Sequence, residues 1–462
     1  MDILLTHGYF LYEDETEKRI MKPYPTLGIL YISSYLKSKG FSVSIFDTTF
    51  SMKKDFFDFI EKEKPGVVGF YSNLMTKFNI VEQIRFCKQH NCKVIVGGPD
   101  VPNYTEQYIN IGADVCVVGE AEETLAELLP EISKNGIHKL HSVKGIVFRD
   151  EEGKFIHTEN RPLIKDLDSL PHPDRDAIDM QRYVDTWKTH HGKGSASLIC
   201  ARGCPYTCTW CSRSVYGETH RRRSAKNVVD EIEMLREKYQ PDMLWFADDV
   251  FTINQKWFYE FHSEMKKRNI KIPFECITRA DRLNEDVIQK MAELGSFRIW
   301  YGAESGSQKI LDAMQRRVTV EEIQRVTKLS QKYGIEVGFF IMLGYPGEEI
   351  SDIEETVDLL KETLPDLFLT TVAYPIKGTP LFKEVENIIT THDDWANVTD
   401  RGLKFSGRFS DTFYKYANRY VVNEVENFRV QKNGNGNLQK QISTFGKAKV
   451  SRMMMDLLAT KI

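Results

Sequence analysis

The chain has 462 residues, 41% of them hydrophobic and 28% charged, a balance that suits two or three globular domains with a large buried core. A formal net charge of −4, with basic runs no longer than a triplet such as Arg221-Arg222-Arg223, makes nucleic acid a poor partner. No apolar stretch approaches the roughly 18 residues of a membrane span; Asp2 beside the short Ile3-Leu4-Leu5 run argues against a signal peptide, so a cytoplasmic protein with reduced thiols is expected.

Residues 1 to about 140 alternate short apolar runs with amphipathic segments. Strands are predicted at Ile3–Thr6, Ser42–Phe46, Val67–Ser72, Lys93–Val96 and Asp114–Val118, with helices such as Leu27–Lys39 and Thr76–His90 between them. That alternation implies a doubly wound, Rossmann-like parallel sheet, whose ligands bind outside the carboxyl ends of the strands. Ser72, Asn73, Gly97, Gly98, Gly119 and Glu120 fall at those ends. They are candidates for a cofactor edge, since glycine permits close backbone approach; plain turn residues would look the same.

Residues 141–194 read as a join. Gly145–Ile156 has the pattern of a hairpin, and Leu167–Asp174 that of a proline-punctuated linker. His190-His191 stand in a polar stretch, where solvent contact is the ordinary fate of such a pair. Strands follow at Ala196–Cys200, Met243–Ala247, Pro273–Ile277, Arg298–Gly302, Glu336–Met342 and Leu367–Ala373, which predicts a partial (β/α) barrel over residues 195–385 with its chemistry at the strand carboxyl ends. Residues 386–462 suit a small, mostly helical region, for which a cap over the barrel mouth and a plain packing role are alternatives, with a loop at Gln431–Asn437 and a Met-rich helix whose face is core rather than cofactor contact.

Cys204, Cys208 and Cys211 form C-x3-C-x2-C in the loop after the first barrel strand. Structural zinc wants two separated ligand pairs, and a ferredoxin run ends rather than begins on Cys-Pro. Three crowded thiolates suit an iron–sulfur cluster with one iron left open for chemistry. Cys200 is a possible fourth ligand, read here as a strand residue pointing into the core. Asp248-Asp249 end the second strand, where paired carboxylates favour a cationic partner over a plain acidic turn. Arg279 after the third suits a carboxylate clamp or a surface pair with Asp281. Glu304 and Ser305 end the fourth, with Glu304 placed to accept ribose hydroxyls. Gly344 ends the fifth in Gly338-Phe-Phe-Ile-Met-Leu-Gly344, where backbone can run beside an adenine.

The run Arg202-Gly-Cys-Pro-Tyr-Thr-Cys-Thr-Trp-Cys211 resembles the cluster loop of radical S-adenosylmethionine enzymes, and the four strand-end motifs follow in that family's order. The resemblance implies a [4Fe-4S] cluster that chelates S-adenosylmethionine and releases a 5′-deoxyadenosyl radical from it, with Asp248 near the methionyl amino group. Pro23-Tyr-Pro-Thr-Leu27-Gly28, Gly40, Asp47, Val96-Gly-Gly-Pro and Gly112 to Thr124 are similar to the cobalamin-binding domain that precedes many such enzymes, which adds Leu27 and Gly28 to the cofactor edge. None of the 11 histidines lies in Asp-x-His-x-x-Gly, so a cobalt without a lower His ligand is implied.

The implied activity is radical hydrogen abstraction followed by methyl transfer from methylcobalamin to an unactivated carbon. Oxidative cyclisation or rearrangement with the same cofactors, in the manner of the anaerobic porphyrin cyclase, shares every motif. A cluster protein for redox sensing without catalysis is the reading of another class. The expected partners are a small-molecule or natural-product substrate and an electron donor such as flavodoxin or ferredoxin.

Overall fold

The computed structural model describes residues 1–432 and 438–461. It contains two compact units: Met1–Pro205, Ser212–Ala247 and Asp393–Arg401 in the first, and Tyr206–Cys211, Asp248–His392 and the chain from Gly402 onward in the second.

The first sheet uses β1 (Ile3–His7), β2 (Val43–Phe46), β3 (Val67–Tyr71), β4 (Lys93–Gly97), β5 (Val115–Val117), β6 (Ile146–Arg149) and β7 (Phe155–His157), in the order β2-β1-β3-β4-β5-β6-β7. The first five are parallel, and the predicted hairpin adds β6 and β7 antiparallel. Period two sorts the strand residues onto two faces. Leu4, Val68, Phe70, Val94 and Val96 pack with Phe56, Ile60, Ile80 and Ile84 of the helices on one side. Ile3, Leu5, Ile95, Val115 and Val117 pack with Ile29, Leu36, Leu125 and Leu128 on the other. Burial on both faces explains the unbroken apolar strands, each such side chain contributing about 1.5–3 kcal/mol. Strand order reverses between β1 and β3, so His7 and Ser72 stand at the crevice where ligands of such sheets bind.

The second sheet uses β8 (Ser195–Leu198), β11 (Met243–Phe246), β12 (Phe274–Thr278), β13 (Ser296–Glu304), β14 (Glu336–Leu343) and β15 (Leu367–Val372), in the order β15-β14-β13-β12-β11-β8. It is the expected open parallel sheet of a partial barrel. A short ribbon, β9 (Ala201–Arg202) with β10 (Arg221–Arg222), frames the cysteine loop at its root. Gly203 has φ +86°, and a Cβ there would lie 2.4 Å from the Thr219 carbonyl oxygen, so the loop can leave the ribbon only through glycine.

Three local expectations shift. The strand read as Ala196–Cys200 ends at Leu198; Cys200 is buried just beyond it, its carbonyl accepting the Arg223 N–H at 2.9 Å. His190-His191 form the last turn of a helix, Met180–His191, closed by left-handed Gly192; Met180, Tyr183, Val184 and Trp187 recur at helical spacing beneath the polar face. The C-terminal region is helical over Asp411–Lys432 and Leu438–Leu457, and the loop expected at Gln431–Asn437 falls mainly on 433–437, outside the described residues. Of the Met-rich run, Met455 is core while Met453 is exposed.

Candidate functional site

In the second unit the site is built around Cys208, a buried thiol at the heart of the cysteine loop. Arg279 Nη1 lies 3.8 Å from its sulfur and Arg316 Nη1 3.6 Å. Both guanidinium groups are donors aimed at a sulfur that could serve as a metal ligand. Arg279 is held rigidly: Nε donates to Asp281 at 2.8 Å, Nη2 to the Arg316 carbonyl at 2.7 Å, and its plane stacks on the Tyr206 ring at 3.7 Å. The expected carboxylate clamp is therefore turned toward Cys208, with Asp281 as its anionic partner. Thr209 and Trp210 seat the loop: Thr209 N–H donates to the Met314 carbonyl at 3.2 Å, its hydroxyl meets Tyr345 Oη at 2.6 Å, and Trp210 packs on the cluster of Met314, Met342, Tyr345 and Leu381.

Glu304 ends β13 in the left-handed region, φ +58°, at a register shift between Gly302 and Glu304. Its carboxylate folds back over Gly302, where a Cβ would stand 2.0 Å from Oε1. Arg316 Nε lies 3.8 Å away and Arg316 Nη2 donates to the Gly302 carbonyl at 2.9 Å. Burial raises the Glu304 carboxyl above its ordinary range, and the Arg316 and Arg279 charges oppose that rise. Among the described residues this buried carboxylate accepts no hydrogen bond closer than that 3.8 Å ion pair. Such an acceptor fits ribose hydroxyls. Ser305, by contrast, is committed to the chain: its hydroxyl meets Thr356 at 3.2 Å and accepts the Ser307 N–H at 3.1 Å, which shapes the turn after Glu304.

Asp248 and Asp249 follow β11, Asp248 buried and Asp249 open to solvent as a residue. Burial of the carboxyl and the Asp248 charge hold Asp249 above the usual carboxylate range, a penalty that a cation would relieve. Gly344 has φ +76° and packs against Tyr414, whose ring a Cβ would meet at 2.9 Å. Its N–H donates to Glu348 Oε2 at 2.6 Å, while Glu348 Oε1 is buried with no partner and burial pushes that carboxyl up to about 8.

In the first unit the expected cofactor edge divides in two. Gly28 is exposed with open space around it, a Cβ at Gly97 would meet Val117 at no less than 3.6 Å, and Gly119 has φ +91° with nothing nearer than 4.0 Å. These leave room for a flat ligand, and Leu27 beside Gly28 is buried in the helix that begins there. Gly98 serves packing instead, because a Cβ would overlap the Ser72 carbonyl oxygen at 2.3 Å. The Ser72 hydroxyl bonds Tyr108 Oη at 2.6 Å, and Asn73 Oδ1 accepts the Met75 and Thr76 N–H groups at 2.9 and 3.0 Å. Glu120 is fully engaged, accepting from Arg202 at 2.7 Å, Arg221 at 2.8 Å and the Ile164 N–H at 2.7 Å. His7 has both ring nitrogens in use: Nε2 meets Asp47 at 3.0 Å, and Nδ1 meets Thr48 at 3.0 Å and the Tyr9 N–H at 3.2 Å. It is not a spare ligand for cobalt.

Of the three cysteines, Cys204 lies in the first unit, and Cys208 and Cys211 in the second; Cys204 is half-buried and Cys211 exposed. Among the described residues no three His, Cys, Asp or Glu side chains gather closely enough to hold a metal ion, the three cysteines of the loop included. Arg316 and Tyr206 escaped the sequence reading. Arg316 sits in Gln315-Arg316-Arg317, a turn with left-handed residues on both sides, and reads as a solvated basic bend.

The description of the radical SAM superfamily matches residues 198–360, and that of the B12 binding domain matches residues 19–129. An uncharacterised methyltransferase of Pyrococcus horikoshii is 28% identical over 387 residues, covering 81% of this chain and 82% of that protein. The anaerobic magnesium-protoporphyrin IX monomethyl ester cyclase of Rubrivivax gelatinosus is 26% identical over 382 residues, covering 80% and 68%. The cobalamin-dependent S-adenosylmethionine radical enzyme OxsB, solved with aqua-cobalamin, shares the fold with a TM-score of 0.77 at 17% identity, covering 98% of this chain and 72% of that one. The chain thus joins a B12 binding domain, over residues 19–129, to a radical SAM domain, over residues 198–360.

Proposed function

We propose that the protein is a cobalamin-dependent radical S-adenosylmethionine methyltransferase acting on an unactivated carbon of a small-molecule or natural-product substrate. The observation that carries this reading is the way Arg316 joins Cys208 to Glu304: one guanidinium lies 3.6 Å from the thiol and 3.8 Å from the buried carboxylate. A ligand sulfur and an unused acceptor for a ribose are thereby held side by side. When bound, the [4Fe-4S] cluster, S-adenosylmethionine and cobalamin supply an electron, a hydrogen-abstracting radical and a methyl group.

The chain's own residues hold and orient. Cys204, Cys208 and Cys211 would ligate the cluster, leaving one iron open. Arg279 and Arg316 donate to the Cys208 sulfur, which stabilises its charge and tunes the potential at which an electron is accepted. Glu304 would accept the ribose hydroxyls, the Asp248-Asp249 pair would face the methionyl ammonium group, and the Gly344 backbone would flank the adenine. Gly28, Gly97 and Gly119 offer a flat edge for the corrin. The reductant would be a small protein of the flavodoxin or ferredoxin kind.

The test is product analysis after anaerobic reconstitution with hydroxocobalamin, reductant and S-adenosylmethionine. Formation of both 5′-deoxyadenosine and S-adenosylhomocysteine, the second only with cobalamin present, is expected. Deoxyadenosine alone, with candidate substrates supplied, would replace methyl transfer by cyclisation, the chemistry named for the Rubrivivax relative, or by rearrangement. Neither product would remove both readings.

A further inference from the structure

Asp393–Arg401 belongs to the N-terminal unit although its neighbours in sequence on both sides belong to the other. Its regular structure is one turn at Trp395–Asn397 and the start of a second at Asp400–Gly402. The segment packs on the starts of the helices Lys77–Gln89 and Thr105–Asn110, just beyond the loops that follow β3 and β4. Trp395 packs edge-on to Tyr108, ring centroids 4.7 Å apart, and the Lys77 ammonium stands 4.1 Å over the indole. Lys77 Nζ also donates to the Val398 carbonyl at 2.6 Å, and Tyr104 Oη donates to Asp400.

Those partners lead directly to the candidate cofactor edge. Tyr108 Oη bonds Ser72 Oγ at 2.6 Å and donates to Asp100 Oδ2 at 2.7 Å, while the Ser72 N–H donates to the Gly97 carbonyl at 2.8 Å. One polar network thus runs from the segment through Tyr108 into both strand-end loops. Lys77, Asp100 and Asp400 are all buried in it, and burial pulls the Lys77 amine down to about 8 against the attraction of Asp100, Asp400 and Asp394. A segment that merely covered the sheet would bury apolar surface. Burying charged groups costs several kcal/mol each unless partners are placed well, so this network is satisfied in one arrangement of the loops. The indole Nε1–H of Trp395 is buried with no acceptor in the chain, a donor that a ligand amide or a water would satisfy.

We propose that Asp393–Arg401 is a strap whose Trp395 and Asp400 hold the Ser72–Thr76 and Gly97–Asp100 loops in the shape that receives cobalamin, which makes them positioning residues for that cofactor. The inference rests on the reading of these loops as the cobalamin edge. It predicts that cofactor affinity in the N-terminal unit is set partly by residues more than 290 positions further along the chain than the loops they hold.

The experiment titrates hydroxocobalamin into the full-length protein by visible absorbance and S-adenosylmethionine by calorimetry. Trp395→Ala and Asp400→Asn are expected to weaken hydroxocobalamin binding by about tenfold or more, the scale on which loss of a supporting contact is felt. Trp395→Phe, which keeps the ring, should recover most of it, and S-adenosylmethionine affinity should not move. Equal loss of both ligands, or wild-type cobalamin affinity in Trp395→Ala, would overturn the proposal. If Trp395→Ala does not fold, Asp400→Asn and Trp395→Phe carry the test. If the wild type itself takes up no hydroxocobalamin, the cobalamin reading has failed rather than the strap. Amide hydrogen exchange at residues 72–76 then decides: faster exchange in Asp400→Asn supports positioning, and unchanged exchange refutes it.

Discussion

Arg316 meets a thiol, a carboxylate and a backbone carbonyl with one planar group. Replacing it by Met keeps the packing volume and removes the charge. We expect Arg316→Met to retain the cluster but to shift its reduction potential negative, as seen in an electron-paramagnetic-resonance redox titration, because donors to ligand sulfur favour the reduced state. Glu304→Gln should weaken S-adenosylmethionine by roughly 10- to 100-fold, the worth of about 1.5–3 kcal/mol for hydrogen bonds to a charged acceptor; isothermal titration measures it. Serine at Cys204, Cys208 or Cys211 should abolish 5′-deoxyadenosine formation, whereas Cys200→Ala should spare it; loss of the cluster in Cys200→Ala would give that buried residue a ligand role. The place of Glu304 at a strand end was legible in sequence because strand and helix alternation marks where β13 closes. Arg316 was not, since its partners lie 108 and 14 positions away and no local pattern announces them.

At the level of elements, the turn after β14 stores a protonated acid. Glu348 has its ordinary carboxyl value of 4.5 raised to about 8 by burial, so the folded chain keeps a proton that the unfolded chain releases. Its contribution to stability is complete below the ordinary carboxylate range and is lost as pH rises through about 8. Denaturant midpoints should therefore fall between pH 5 and 8 in the wild type and fall less in Glu348→Gln; equal slopes in the two would show that Glu348 ionises freely. Strand positions were readable from apolar runs, and most ends held within a residue or two. The remaining differences have local causes. The helix Met180–His191 hides behind a polar face with paired histidines, and β13 extends to Glu304 because the register shift at Gly302 lets the strand continue past its glycine. The strap was invisible for a different reason: it is stabilised by polar contacts of long sequence separation, which leave no period in the chain.

Across the whole molecule, the succession of two sheets followed from strand and helix alternation, and the five parallel strands of the first and the open six-stranded second appear as expected. The interleaving of the compact units did not, because the return of residues 393–401 depends on tertiary partners alone. Glu120 has a consequence at this scale. It follows Gly119 at the sheet edge and, through Arg202, grips the root of the loop that carries Cys204. Arg221 of the second ribbon strand is held by the same carboxylate. Were a ligand to displace that turn, these ion pairs would carry the displacement to the loop, and equilibrium thermodynamics makes any such coupling symmetric. Whatever factor cobalamin adds to the retention of the cluster, the cluster must return to the affinity for cobalamin, and Glu120→Gln should shrink both factors together.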